Sequence, residues 1–284
     1  MTNPFIESRN AFVAANPVEQ TTFGPRQWGS IRVGDSGPAL VLIPGTLGKA
    51  EIFWQQIEAL KDRVQILALT YPDSHDIEEW SSDLEILMDN AGFDSAHILG
   101  SSLGGYFVQY FAATRPQRCE SIFAANTLSS TEFAVQAPPY ALDLANTPIE
   151  LIRKGFSEGM SKSVEADPSL APLIGMLMED VNGGIPEPNL RSRLMAIKYA
   201  PPLPRIELLA DRICTIEASD DPLIPAPVRD AVRAFAGPAV SYRFLGGGHF
   251  PYVVRPADYT ALLEERLGLV EDGAVWGRGE MRER

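Results

Sequence analysis

The chain has 284 residues, of which 45% are hydrophobic and 21% are charged, which is the composition of an ordinary globular protein. Its formal net charge of −13 excludes a typical nucleic-acid-binding protein, because contact with phosphates requires a clustered basic face. Every apolar run is shorter than the ~18 residues of a membrane-spanning helix, so we expect no membrane span.

The apolar residues, taken in chain order, predict an alternation of buried strands and amphipathic helices. The predicted strands cover residues 26–33, 38–44, 64–69, 96–99, 119–125, 212–218 and 240–245. The predicted helices cover residues 51–60, 77–88, 106–114, 228–235 and 256–267. Such an alternation implies right-handed crossovers, so we expect an α/β fold with a mostly parallel central sheet and helices on both faces.

Three stretches interrupt or flank this alternation. Residues 127–204 are rich in proline and in short apolar stretches typical of helices, with no evident strand, which predicts a helical cap inserted into the core. The core then comprises residues 23–126 and 205–270. Residues 1–22 and 271–284 lack clear periodicity, and we expect irregular or mobile tails there.

Gly100 to Gly105 (GSSLGG) lie between a predicted strand and a predicted helix and contain the pattern GxSxG, with Ser102 at its centre. Glycine at these places suits a very sharp turn, which exposes a serine hydroxyl and leaves no room for neighbouring side chains. The turn also directs backbone N–H groups and a helix N-terminus towards that hydroxyl. The pattern alone equally fits an ordinary glycine-rich loop, so the assignment of Ser102 as a nucleophile depends on other residues.

A serine nucleophile needs a base, an acid that orients the base, and donors for the oxyanion. His249 follows three glycines after a predicted strand and is the candidate base, since a core histidine rarely follows such a run. Asp221 and Asp220 follow another predicted strand and are candidate acids, although either also fits a helix N-cap or a turn. The candidate oxyanion donors are the backbone N–H groups of Leu103 and Thr46.

The other histidines and the cysteines are predicted to be structural. His97 lies in a predicted strand and His75 in a surface loop, and without paired spacing or a CxxC motif the sequence predicts no metal site. Cys119 and Cys214 precede separate apolar runs, which favours packed, reduced thiols over a disulfide. Residues 1–9 have Pro, Asn and Glu where a signal peptide has a basic patch and an apolar core, so we expect a cytoplasmic protein.

Three stretches, HILGSSLGGYFVQYFA, LALTYP and GGGHFPYVVR, resemble the α/β-hydrolase superfamily and, within it, the maspardin group. The resemblance covers residues 38–130 and 212–256 and implies an α/β-hydrolase fold with no cofactor. The chain order nucleophile, acid, histidine is also that of the superfamily. The resemblance implies a Ser-His-Asp triad made of Ser102, His249 and Asp221. Asp221 is the implied acid because Asp-Pro-x-x-Pro is the usual form of the acid loop in the superfamily.

The chain departs from the superfamily pattern at one loop and from the maspardin group at one residue. Gly45 and Thr46 replace a His-Gly pair, but the oxyanion donor survives because it belongs to the backbone. Members of the maspardin group can carry Asn in place of the histidine and are regarded as binding or adaptor proteins. This chain keeps His249, which favours a working hydrolase, since a serine hydroxyl without a base is a poor nucleophile at neutral pH.

We therefore expect a cofactor-independent serine hydrolase that cleaves an ester, thioester or lactone through an acyl-enzyme. Met160, Met176, Met178 and Met195 of the predicted cap favour an adaptable apolar acyl or aromatic pocket, although such residues also build cap cores. The alternatives are a binding or adaptor protein on a hydrolase scaffold, and a carbon–carbon bond hydrolase with the same triad. A small molecule is the expected partner, and a homodimer is compatible with the sequence.

Overall fold

A nine-stranded sheet forms the centre of the computed structural model, which describes residues 3–284. Its strands are β1 (Glu19–Phe23), β2 (Arg26–Val33), β3 (Ala39–Ile43), β4 (Gln65–Thr70), β5 (Ala96–Ser101), β6 (Cys119–Ala125), β7 (Ile213–Ala218), β8 (Val240–Phe244) and β9 (Met281–Glu283). Their order across the sheet is β1-β2-β4-β3-β5-β6-β7-β8-β9. β1 is antiparallel to β2 and β2 to β4, whereas the pairs from β4 onward are all parallel. The predicted mostly parallel sheet is therefore confirmed.

Both faces of this sheet are covered by helices. The helices are α1 (Pro4–Ala15), α2 (Trp54–Leu60), α3 (Ile77–Ala91), α4 (Leu103–Thr114), α5 (Ile149–Ala166), α6 (Ala171–Glu179), α7 (Glu187–Lys198), α8 (Ala226–Ala236), α9 (Pro251–Val254) and α10 (Pro256–Arg266). Along β3, Leu40 and Leu42 belong to one apolar cluster, and Val41 and Ile43 belong to the other. Because successive strand side chains point to opposite faces, a continuous apolar run is what a strand covered on both sides requires.

Residues 127–204, which we call the helical segment, lie between β6 and β7 and contain α5, α6 and α7 but no strand. Some of their buried apolar side chains form a third cluster, which includes Ile152, Leu190 and Leu194, and the others join the two clusters of the sheet. Leu47, from the loop after β3, belongs to the third cluster. The helical segment therefore packs directly on a loop at the carboxyl end of the sheet.

The N-terminal residues differ from the predicted irregular segment at 1–22. Residues 1 and 2 lie outside the described residues, but 4–15 form α1 and 19–23 form β1. Phe5 packs edge-on against Trp54 with ring centroids 6.1 Å apart, and the buried Arg9 pairs with Glu179 of α6 at 2.6 Å. Phe12 is buried in the core and Phe5, Ile6 and Val13 pack against it. The buried Arg9 interrupts this apolar face, which weakens the periodicity that the sequence shows.

The C-terminal residues likewise differ from the predicted tail at 271–284. β9 extends the sheet beside β8, and Trp276 is buried. Arg282, only 4% exposed, pairs with the buried Glu265 of α10 at 3.1 Å and with Asp272 at 2.7 Å. This segment resembles a polar tail in the sequence because most of its residues are charged or glycine, and the buried Arg282 is one of its anchors.

Two further sequence features have definite places in the fold. Cys119 and Cys214 are buried free thiols, as predicted, and burial raises the pKa of Cys119 to about 12 and that of Cys214 to about 11. Within residues 3–284 the helices are all too short or too polar to cross a bilayer.

Candidate active site

The predicted site residues follow strands that end at the same edge of the sheet. Thr46 follows β3, Ser102 follows β5, Asp221 follows β7 and His249 follows β8. These strands are parallel, and only β6 lies between β5 and β7. Because the carboxyl ends of parallel strands meet at one edge, the fold places the four residues along the same edge of the sheet.

Ser102 occupies the turn between β5 and α4. Its backbone has φ 55° and ψ −115°, a conformation that residues other than glycine rarely adopt. Its N–H donates to the carbonyl of Ala125 at 2.9 Å, which ties the turn to the end of β6. The side chain is partly exposed, and its hydroxyl forms no hydrogen bond with any residue in 3–284, His249 included.

Close backbone approach explains the glycines on either side of Ser102. A Cβ added at Gly100 would lie 2.0 Å from the carbonyl oxygen of Gly104. A Cβ added at Gly104 would lie 2.4 Å from the carbonyl oxygen of Ile43 in β3. Both positions therefore require glycine for the steric reason that the GxSxG pattern predicts.

His249 and Asp221 are hydrogen-bonded to each other. Asp221 Oδ2 lies 2.8 Å from His249 Nδ1, and both side chains are buried. The other carboxylate oxygen, Oδ1, accepts from the N–H groups of Leu223 at 2.8 Å and Ile224 at 3.2 Å. With Nδ1–H donating to the carboxylate, Nε2 is the nitrogen that can accept a proton.

The surroundings of Asp221 favour its ionised form. Burial by itself raises the pKa of this carboxyl, but the charge of His249 and the hydrogen bonds from His249 and Asn126 outweigh that effect. The pKa of Asp221 therefore lies below its ordinary value. A carboxylate that stays ionised can orient a histidine and stabilise its protonated form.

Asp220 contacts a different part of the histidine loop. Its carboxylate accepts from the N–H groups of Gly247 at 3.2 Å and Gly248 at 3.0 Å. Of the two candidate aspartates, Asp221 is the one bonded to the imidazole, and Asp220 holds the glycines that precede it.

Asn126 is a residue of this site that sequence reasoning missed. It directly follows β6, is buried and has φ 43°. Its amide Nδ2 lies 2.9 Å from Asp221 Oδ2 and 3.4 Å from the carbonyl of Gly248. A polar residue in the loop after a strand was part of the signal that identified the other candidates, and Asn126 meets that criterion.

The loop after β3 lies against the nucleophile turn. A Cβ added at Gly45 would be 3.1 Å from Ser102 Cβ, and Gly48 N–H donates to the Gly45 carbonyl at 3.0 Å. Thr46 is buried in this turn, and Leu103 is the first residue of α4. The two predicted oxyanion donors therefore belong to backbone segments that flank Ser102.

The remaining histidines have other surroundings. His97, in β5, lies 2.7 Å from Ser121 Oγ, and burial lowers its pKa. His75 lines a groove of 320 Å³ beside Tyr199, and the lining includes neither Ser102 nor His249. Between residues 3 and 284 there is no group of three or more His, Cys, Asp or Glu side chains that could hold a metal ion.

Comparisons with known proteins show what this chain is similar to. Maspardin from Danio rerio is 25% identical over 247 residues, covering 82% of this chain and 76% of that protein. Maspardin from Homo sapiens is 25% identical over 244 residues, covering 82% of this chain and 77% of that protein. The crystal structure of the enol-lactonase from Burkholderia xenovorans superimposes with a TM-score of 0.71 at 18% identity, covering 88% of this chain and 100% of that one.

A model of the alpha/beta hydrolase family matches residues 40–262, which is well over half of the chain. The matched residues run from β3 to α10 and include Ser102, Asp221 and His249. This protein therefore belongs to the alpha/beta hydrolase family.

Proposed function

We propose that the protein is a cofactor-independent serine hydrolase that cleaves an ester, thioester or lactone through an acyl-enzyme. One observation carries the proposal, which is the 2.8 Å contact between His249 Nδ1 and the buried Asp221. A histidine held in this way has Nε2 available as a base, and it shares its sheet edge with the turn that exposes Ser102. A binding protein on the same scaffold would not need the pair formed by His249 and Asp221.

The reaction begins when Ser102 Oγ attacks the carbonyl carbon and its proton passes to His249 Nε2. Asp221 stays ionised and stabilises the imidazolium. The backbone N–H groups of Leu103 and Thr46 bind the negative oxygen of the tetrahedral intermediate. The intermediate collapses to an acyl-Ser102 ester as the leaving alcohol or thiol takes the proton from His249. Water then attacks the ester by the same route, which releases the acid and restores the serine.

The helical segment serves as a cap that binds the apolar part of a small-molecule substrate. Met160 and Met195 pack against the third apolar cluster, which contains Leu47 from the loop beside Ser102. Met176 is fully buried in the core and serves packing. Flexible thioether side chains next to Leu47 support an apolar acyl or aromatic group as the part that is bound.

Labelling with a fluorophosphonate tests the assignment of the nucleophile. We expect one phosphonyl group per chain, located on Ser102 by peptide mass spectrometry, and none in Ser102→Ala. Ser101→Ala is the matched control, because Ser101 is the adjacent serine but is buried at the end of β5, so this variant should still be labelled. Labelling of Ser101, or no labelling of the wild-type protein, would contradict the proposal.

The similarity to maspardins favours a second candidate, a binding or adaptor protein without useful turnover. A panel of aryl esters graded by acyl length separates the two functions. The hydrolase should turn over at least one ester and lose that activity in His249→Ala. A binding protein should turn over none and should keep its folded stability and its partners in the same variant.

A further inference from the structure

Arg193 of α7 reaches from the helical segment into the loop after β3. Its Nη1 donates to the carbonyl of Thr46 at 3.1 Å and to the carbonyl of Gly48 at 2.7 Å. Arg193 is only 1% exposed, and its guanidinium lies 5.4 Å from the centre of the Tyr71 ring. Within residues 3–284, all of its side-chain hydrogen bonds go to these two carbonyl groups.

These contacts hold the turn that contains a proposed oxyanion donor, the N–H of Thr46. The N–H of Thr46 shares its peptide plane with the carbonyl of Gly45, which accepts from Gly48 N–H. Arg193 holds the carbonyl groups of Thr46 and Gly48 on the other side of the same turn. A displacement of this turn from its place beside Ser102 would therefore have to break hydrogen bonds to a buried charge.

The charge of Arg193 is kept although its burial is costly. Burial lowers the pKa of Arg193 to about 10, and the partial charges of Tyr71, Asp180 and Glu51 oppose that effect. The side chain is therefore a cation at neutral pH. The hydrogen bonds from Nη1 to the two loop carbonyl groups offset part of the cost of burying this cation.

A second contact joins the same two parts of the molecule. Lys49, directly after Gly48, pairs with the buried Asp180 at 2.9 Å, at the end of α6. Tyr71 also donates its hydroxyl proton to the carbonyl of Pro44, just before the loop, at 2.7 Å. Both ends of the loop are thus fixed, and Arg193 holds its middle to the helical segment.

We propose that Arg193 is a positioning residue that sets the Thr46 N–H for oxyanion binding and couples that donor to the docking of the helical segment. The proposal rests on the serine hydrolase function given above. Substrate binding that presses the helical segment onto the loop after β3 would therefore complete the oxyanion site. Displacement of the segment would remove the Arg193 contacts and disorder that site.

The test compares Arg193→Met and Arg193→Lys with the wild-type protein and with Arg191→Met. Arg191 lies on the same helix but bonds to Leu144 and Glu187 instead of the loop, which makes it a matched control. We expect Arg193→Met to slow phosphonylation of Ser102 about 100-fold, the usual effect of losing one oxyanion donor, and to lower kcat far more than it changes KM. Arg193→Lys should recover part of the rate, because an ammonium can reach one of the two carbonyl groups. Arg191→Met should react like the wild-type protein.

Hydrogen exchange followed by mass spectrometry provides a readout that needs no activity. Arg193→Met should exchange the amides of residues 45–49 at least about 10-fold faster, because the turn loses its anchor, while β5 and α3 keep wild-type rates. Unchanged exchange in that loop together with a wild-type labelling rate would overturn the role of Arg193 and leave the hydrolase proposal standing. An unlabelled wild-type protein would overturn the hydrolase proposal, whereas loop exchange would still report whether Arg193 positions the loop. If Arg193→Met fails to fold, the same measurements on Arg193→Lys decide the question.

Discussion

Asp220 and Asp221 are neighbours in sequence, yet their carboxylates hold different groups. Asp221 is buried and bonds to the imidazole of His249, whereas the exposed Asp220 bonds to the backbone of the glycines before it. Oδ1 of Asp221 accepts from the N–H groups of Leu223 and Ile224, which leaves Oδ2 to face the imidazole. One aspartate therefore orients the imidazole and the other orients its loop.

The isosteric variants Asp221→Asn and Asp220→Asn should consequently differ in activity. Asp221→Asn leaves the shape intact but removes the acceptor that fixes the tautomer of His249, so we expect kcat to fall about 10⁴-fold. Asp220→Asn keeps one oxygen acceptor for the glycine N–H groups, and we expect a fall of about 10-fold or less. Steady-state kinetics on an aryl ester would measure both. Equal losses in the two variants would refute the division of roles.

The sequence made Ser102, His249 and the pair Asp220 and Asp221 candidates because each lies in a loop after a predicted strand, with Gly or Pro beside it. The resemblance to the α/β-hydrolase superfamily then favoured Asp221. It did not identify Asn126 or Arg193. Asn126 stands in a segment with no turn motif, and its contacts depend on β6 lying between β5 and β7. Arg193 is a charged residue in a predicted helical region, where a sequence pattern favours an exposed side chain. Its burial becomes known only from the packing of that helix.

Among the secondary-structure elements, α4 shows how packing overrides helix propensity. It begins at Leu103, three residues before the predicted start at Tyr106, and its first turn contains Gly104 and Gly105. Glycine is a poor helix former, which is why the sequence favoured the later start. The close approach of Thr127 demands glycine at 105, because an added Cβ would lie 2.5 Å from Thr127 Cβ.

Two glycine-to-alanine changes in helices should therefore have opposite effects on stability. Gly105→Ala should lower the free energy of unfolding by about 1–3 kcal/mol, because the methyl group overlaps Thr127. Gly155→Ala, on the exposed side of α5, meets nothing within 4 Å and should raise it by about 0.5–1 kcal/mol through helix propensity. Urea unfolding followed by circular dichroism measures both. A stabilised Gly105→Ala protein would show that the contact with Thr127 relaxes freely.

The strands of the parallel sheet were easier to predict than the helices around them. Continuous apolar runs such as ALVLI in β3 have one physical explanation, which is burial on both faces, and the observed bounds lie close to the predicted ones. α1 and β9 were missed in part because two of their anchors, Arg9 and Arg282, are charged residues that become buried only through distant partners. No local pattern encodes such partners.

In the whole molecule, both terminal segments pack on the core and stabilise the fold. α1 lies between the core at Trp54 and the helical segment at Glu179, and the C-terminal segment closes the far edge of the sheet. Glu265 illustrates the dependence, since one of its oxygens accepts from the N–H groups of Val275 and Trp276 and the other pairs with Arg282.

Removing the charge of Arg282 should therefore destabilise the entire domain. In Arg282→Met the carboxylate of Glu265 is left buried without its cation, and we expect a loss of about 3–5 kcal/mol in the free energy of unfolding. Arg278→Met is the control, because the pair between Arg278 and Glu271 is exposed and should contribute little. Chemical denaturation of both variants measures the difference. A small effect of Arg282→Met would mean that the C-terminal segment is dispensable for folding.

The position of β9 also affects the tendency of the protein to aggregate in concentrated solution. Ser241 N–H donates to the Glu280 carbonyl and Leu245 N–H to the Arg284 carbonyl, each at 2.7 Å. Loss of the last five residues would leave these groups of β8 unpaired along an open sheet edge, beside the aromatic side chains of Tyr242 and Phe244. Open edges of this kind recruit strands from other molecules and start aggregation. A single proteolytic cut near Gly279 would thus convert a well-protected sheet into a template for self-association.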